Sequence, residues 1–260
     1  MIIKVRFIGH KKGTFPLKKK KILFCVITAL ILTVMCISLL FYCGVLHFNN
    51  IDREKYPIIG VDVSSYQGEI DWNRLSENDI QFAFIKATEG SSFVDPFFEK
   101  NWNEAQNIDL RIGAYHFFSF ESPGINQAKS FCETVPKVKN MLPPVIDVEY
   151  YNSFKSSDDI DVTKIKKELR DCIDIIEGEY SVKPIIYMTN KLFEEIIQDD
   201  FADCCFWYRS VYSKAPDNIS WTFWQYSNRH ILEGYTGKER YIDMNVFYGT
   251  NEEFSAFPTE

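Results

Sequence analysis

No glycine-rich phosphate loop and no GxSxG elbow occur anywhere in the 260 residues. Their absence removes phosphate-cradling and serine-elbow chemistries of those kinds. Cysteine occurs seven times but never at metal-ligand spacing. Cys25, Cys36 and Cys43 sit in an apolar run as small fillers. Cys132, Cys172, Cys204 and Cys205 could pair in an oxidising space, although the adjacent pair cannot easily bridge itself. The expectation is therefore no zinc, no other metal and no cofactor.

Acidic residues are missing from positions 1–21, which hold eight bases: Lys4, Arg6, Lys11, Lys12 and Lys18 to Lys21. Because the whole chain carries −7, the remainder carries −15. A basic terminus invites a nucleic-acid reading, but the next segment explains it better. Residues 22–46 contain no charge, no Pro, no Asn and no Gln. About 20 apolar residues span the hydrocarbon layer as a helix, so this run is long enough with some tilt. It shows no polar face, as a buried soluble helix would, and no small-x-small cleavage site follows it. An uncleaved signal anchor is preferred over a cleaved signal. The preceding lysines place the N-terminus in the cytoplasm and the rest of the chain outside. The expected organisation is a basic cytoplasmic tail (1–21), a transmembrane helix (22–46), a linker (47–56), one barrel domain (57–250) and a tail (251–260).

Aromatic residues are plentiful at 16%. They suit an aromatic core, and equally a carbohydrate cleft, where ring faces stack on sugar C–H faces. Eight short runs rich in Val, Ile, Phe and Tyr follow the linker, at 58–65, 82–89, 111–118, 142–150, 184–190, 205–212, 222–227 and 241–248. Their near-continuous apolar character fits parallel strands buried on both faces. Helical patterns lie after the first five, at 71–78, 95–106, 125–135, 161–180 and 190–200. The longest carries Ile165, Leu169, Cys172, Ile173 and Ile176 on one stripe. The fold class is α/β, a single (β/α)8-like barrel of (βα)5β3 type preceded by one transmembrane helix.

Barrel chemistry sits where the strands end at one rim. Acids inside apolar strands are costly unless paired or functional, and four occur here: Asp62, Asp147, Glu149 and Asp243. Asp147 and Glu149 are two apart and face the same side of a strand, with Cα atoms roughly 6–7 Å apart. Two carboxylates that close discourage each other's ionisation, so one keeps a proton to donate. Glycosidic cleavage needs that arrangement, an acid for the leaving oxygen and a negative group for the oxocarbenium-like transition state. A structural hydrogen-bond cluster or an oxygen-lined divalent-cation site is the blander alternative. Tyr115, Tyr187, Trp207 and Gln225 near strand ends suit either the sugar groove or the core. His116 reads as a satisfied barrel histidine, and Lys86 with Glu89 as an ion pair at the rim.

The stretches GVDVSSYQGEIDW, FAFIKATEG, RIGAYHFF, PPVIDVE, PIIYMTN, FWYRSVY, WQYS and YIDMNVFYG together resemble the glycoside hydrolase family 25 lysozymes, in order and over nearly the whole outer domain. The resemblance implies hydrolysis of the β-1,4 bond between N-acetylmuramic acid and N-acetylglucosamine in peptidoglycan. It maps the proton donor onto Glu149 and the surrounding catalytic carboxylates onto Asp147, Asp62 and Asp243. Whether Asp147 attacks the sugar or assists the substrate's own acetamido group stays open, as does a related glycan such as chitin, or glycan binding without cleavage. Arg209 stands where that family usually has a small residue, and Ser65–Tyr66 where it often has His–Trp. The expected partners are glycan strands and, through the helix, the lipid bilayer, with no nucleic acid and a monomeric chain. The barrel is placed on the extracytoplasmic side for wall remodelling. No wall-binding repeat is present.

Overall fold

The computed structural model describes residues 17–258, and the chain divides into two compact units, 1–46 and 47–260. In the first, one helix, α1 (Leu17–Tyr42), is described. Its stretch Lys18–Tyr42 is long and apolar enough to cross a membrane by length and composition, about 37 Å at the helical rise. The helix starts inside the basic run and stops short of Leu46. Gly44 takes φ +68°, and the Cys43 and Val45 N–H groups turn back to the carbonyls of Leu39 and Leu40. A left-handed glycine of this kind ends a helix. Thr28 and Thr33 donate to carbonyls one turn back, so these hydroxyls are satisfied within the helix itself. The bases Lys4, Arg6, Lys11 and Lys12 lie outside the described residues.

The second unit holds β1 (Ile59–Val63), β2 (Ile80–Glu89), β3 (Phe93–Val94), β4 (Arg111–Phe117), β5 (Val145–Asp147), β6 (Ile185–Thr189), β7 (Phe206–Arg209), β8 (Phe223–His230) and β9 (Ile242–Phe247). The hydrogen-bonded order is β1-β9-β8-β7-β6-β5-β4-β2-β3, and β1 also pairs with β2. Eight strands therefore close a barrel, and β3 is a short antiparallel spur on the end of β2. The helices are α2 (Trp72–Ser76), α3 (Phe98–Ala105), α4 (Gly124–Thr134), α5 (Val162–Tyr180), α6 (Asn190–Leu192), which runs into a π turn at Phe193–Ile197, and α7 (Asn251–Ala256). Asp71 and Asp161 cap α2 and α5 by accepting from Arg74 N and Lys164 N, as N-cap carboxylates do. The whole apolar stripe of α5 is buried.

All eight expected runs are strands, with one correction of direction. The strands were expected to run parallel, but β9 is antiparallel to both β1 and β8. The chain returns from His230 to Ile242 without a crossover helix, the connection an antiparallel pair allows. The N-terminal end of β9 consequently lies at the rim where the other strands finish.

Two apolar layers follow from the pleat, since alternate residues face opposite sides. One set packs between the sheet and the helices, including Val61, Ile85, Ile146, Ile186 and the α5 stripe. The other fills the lumen: Ile58, Phe82, Phe84, Leu142, Val145, Ile185, Tyr187, Trp207, Phe223 and Phe247. Gly60 and Gly113 make room for these rings, because a Cβ there would stand 2.4 Å from Phe82 and 2.7 Å from Phe84. The segment read as a C-terminal tail is not loose. Thr250 caps α7 in a capping box, and Phe254 and Phe257 pack under the lumen against Phe82, Phe223 and Phe247. Arg111 holds the carbonyls of both.

The segment read as a linker is docked as well. Asn49 Nδ2 lies 2.8–3.0 Å from the carbonyls of Tyr226, Ser210 and Ser213, and Asn49 is buried. The His47 ring stacks on His230 at 3.7 Å, and Phe48 meets Tyr212 edge-on. These partners lie in the loop after β7 and along β8. Tyr56, at the opposite end of the barrel, is buried beside Trp221 and Tyr248.

Candidate active site

The alternation that fills the lumen continues upward into a polar layer. Ile58, just before β1, and Gly60 on it are followed by Asp62; on β5, Val145 is followed by Asp147; on β7, Trp207 is followed by Arg209; on β8, Phe223 is followed by Gln225. On β9 the order reverses, Asp243 and Asn245 coming before Phe247. Of these, Asp62, Asp147, Trp207, Arg209, Gln225 and Asp243 line a cleft of about 600 Å³, together with Lys86, Glu89, Tyr115, Glu149 and Tyr187. All four acids singled out from the sequence meet there. Asp62 pairs in register with Asp243 across β1 and β9. Glu149 lies two residues beyond the end of β5 rather than within the strand.

The acids are held differently. Asp62 Oδ2 accepts from Asn245 Nδ2 at 2.8 Å and from Gln225 Nε2 at 2.9 Å, and the same Gln225 nitrogen is 3.4 Å from Asp243 Oδ2. Tyr187 donates to Gln225 Oε1 at 3.0 Å, which fixes the amide orientation, and Trp207 donates to Asn245 Oδ1 at 2.8 Å. Asp147 is buried, and its Oδ1 has no hydrogen-bond partner. Asn245 was missed in the sequence. It lies two residues after Asp243, on the same face of its strand, so period-two reading could have found it.

Burial pushes the Asp62, Asp147, Glu149 and Asp243 carboxyls above the usual range. The shift is large for Asp147, where the Glu149 charge adds to burial, and for Asp243, where the Asp62 charge does. Hydrogen bonds from Asn245 and Gln225 pull Asp62 partly back. The Arg209 charge opposes the rise at all four. Buried carboxyls that share one site hold protons at pH values where isolated ones have released them.

The softer candidates divide. Tyr115, Tyr187, Trp207 and Gln225 all line the cleft. Of these, Tyr187, Trp207 and Gln225 are buried, and their polar atoms orient the carboxylate network. Burial also raises the Tyr115 and Tyr187 hydroxyls well above their usual range, keeping them neutral. His116 is fully buried between Thr88 Oγ1 (2.7 Å) and Gln127 Oε1 (3.1 Å), with burial lowering it to about 4. Gln127 Oε1 can only accept, so His116 carries its proton on Nε2 and accepts from Thr88. Lys86 and Glu89 form the expected ion pair at 2.7 Å. Among the described residues no group of three or more His, Cys, Asp or Glu is arranged to hold a metal ion. Cys132, Cys172, Cys204 and Cys205 are free.

The match to the family described as Glycosyl hydrolases family 25 covers residues 61–235, most of the barrel. The chain belongs to glycosyl hydrolase family 25. The protein YegX of Escherichia coli K12 is 37% identical over 210 residues, covering 78% of this chain and 74% of that one. Lysozyme M1 of Streptomyces globisporus is 30% identical over 202 residues, covering 74% and 68% respectively. A family 25 glycosyl hydrolase structure from Bacillus anthracis is similar at 50% identity with a TM-score of 0.73, covering 82% of this chain and 97% of that one. This family 25 member is a glycoside hydrolase of the lysozyme type, and its closed eight-stranded barrel is the fold of the solved structures it resembles.

Proposed function

We propose that this chain hydrolyses the β-1,4 bond between N-acetylmuramic acid and N-acetylglucosamine in peptidoglycan, with Glu149 as the proton donor. The observation that carries this reading is the convergence of four carboxyls, each raised by burial, on one cleft of a family 25 barrel. Glu149, protonated by its surroundings, gives its proton to the glycosidic oxygen as the bond to the anomeric carbon breaks. Asp147, whose Oδ1 is unpartnered and buried, meets the N–H of the 2-acetamido group. The acetamido oxygen forms the new bond to the anomeric carbon. A water that yields its proton to Glu149 then opens that intermediate, and configuration is retained. Asp62 and Asp243 hold negative charge and shared protons beside the developing oxocarbenium ion.

The test uses full-length protein in detergent on purified wall sacculi, followed by borohydride reduction. New muramitol ends are expected; glucosaminitol ends would mean the other linkage of the strand is cut. Glu149→Gln should lose turnover while still binding sacculi, and unchanged activity in that variant sinks the assignment.

We also propose that α1 is an uncleaved anchor with the lysines cytoplasmic and the barrel outside, confining cleavage to the cell's own wall. The apolar length of α1 and the bases before it support this. Protease added to intact spheroplasts should digest the barrel. Protection of the barrel, or its release into the medium, overturns the topology.

A further inference from the structure

The cleft contains cations in different circumstances. Lys86 is spent on Glu89 at 2.7 Å and lies over the Phe117 ring. Arg229 lies over the ring of Tyr241. Arg209, at the end of β7 in register with Thr189 and Gln225, lines the same cleft and feels the charges of Glu149 and Asp243. Yet among the described residues its guanidinium has no hydrogen bond or ion pair. A guanidinium carries five N–H donors in a planar fork and cannot shed its charge. In the empty cleft, water can satisfy those donors. When a glycan enters, that water leaves, and the cleft's own carboxylates are not close enough to replace it. A ligand that supplied only hydroxyls would leave a desolvated cation poorly paired, which is unfavourable. A ligand carboxylate matches the fork in charge and shape.

We propose that Arg209 is a specificity-determining residue that receives a carboxylate borne on the lactyl arm of the muramic sugar. This rests on the muramidase reading above. Two sources share the chemistry: the free carboxyl of an arm stripped of peptide, and a carboxyl of the peptide attached to it. The arm is what distinguishes muramic acid from glucosamine, so a cation reading it would favour wall glycan over neutral polymers of N-acetylglucosamine. It would also give an acidic domain a local reason to hold an anionic strand.

The experiment compares full-length wild type, Arg209→Ala and Arg209→Lys in detergent. The substrates are peptide-free strands, peptide-bearing strands, and each of these after carbodiimide amidation of its carboxyls. The wild type should prefer strands with free carboxyls to amidated ones. Arg209→Ala should lower that preference about 10- to 100-fold, the weight of one charge-assisted pair, with the loss carried in KM rather than kcat. Arg209→Lys should recover part of the preference, keeping the charge but losing the fork. Loss of preference only on peptide-free strands assigns the arm's own carboxyl; loss only on peptide-bearing strands assigns the peptide. An equal fall in kcat on every substrate, or a moved acid limb of the pH profile with the preference intact, overturns the proposal and makes Arg209 a tuner of Glu149. Failure of the muramidase reading is separate: wild type would then release no muramitol ends at all.

Discussion

The lumen of the barrel and the layer directly above it are built by the same strands with the same alternation, yet they obey opposite rules. Below, Phe82, Phe84, Trp207 and Phe223 interlock as edge-on or stacked pairs with centroids 4.6–5.7 Å apart, and nothing there titrates near neutral pH. One pleat higher, Asp62 and Asp147 are buried and Asp243 is half-buried, and all three carry ionisable groups whose charged forms burial opposes. The floor stabilises and positions; the layer above it gives up stability for chemistry. Trp207 joins the two, stacking on Phe84 with its ring and supporting Asn245 with its N–H.

The contrast can be broken most sharply at Glu149. Glu149→Gln should cost about 10²- to 10⁴-fold in kcat, the usual weight of a general acid, with the denaturation midpoint little changed. Phe82→Ala tests the floor, where about 3–5 kcal/mol of folding stability should be lost in urea titration, because the ring is fully buried and the lumen cannot collapse around its absence. A variant no less stable than wild type would show that the floor is not the load it is taken to be. Asp243→Asn should move stability the other way and by less, about 0.5–2 kcal/mol gained at pH 7. The sign follows from the raised carboxyl. Between about pH 4, where an unfolded Asp releases its proton, and the higher folded value, folding takes up a proton, so stability falls as pH rises through that window. The advantage of Asn should therefore shrink as the pH is lowered towards 4. An advantage that grows instead would show that Asp243 is ionised and stabilising.

What the sequence disclosed and what it hid have physical causes. The eight apolar runs, the α5 stripe and the four acids were legible because burial and alternation leave periodic marks. The direction of β9 was not, since apolar periodicity is the same in both directions. Direction came from the return between His230 and Ile242. Asn245 escaped because amides are common in loops and carry no charge to draw attention, although its spacing from Asp243 places it on the cleft face. The floor role of Phe254 and the docking of Asn49 were hidden for another reason: both lie in short segments outside the repeating pattern, and only tertiary contact reveals their burial. Glu149 was read on a strand that stops two residues earlier, an error of boundary that left its side of the barrel unchanged.

The pinned segment at Asn49 has a mechanical consequence. Because residues 47–49 are fastened to the loops that follow β7 and to the end of β8, any tension arriving from the N-terminal side enters the barrel at its working end. Load would pass through the carbonyls of Ser210, Ser213 and Tyr226 before reaching β1, and Ser210 directly follows Arg209. A tug on the chain would thus be felt first by the wall of the cleft, while the aromatic plug at the far end stays unstressed.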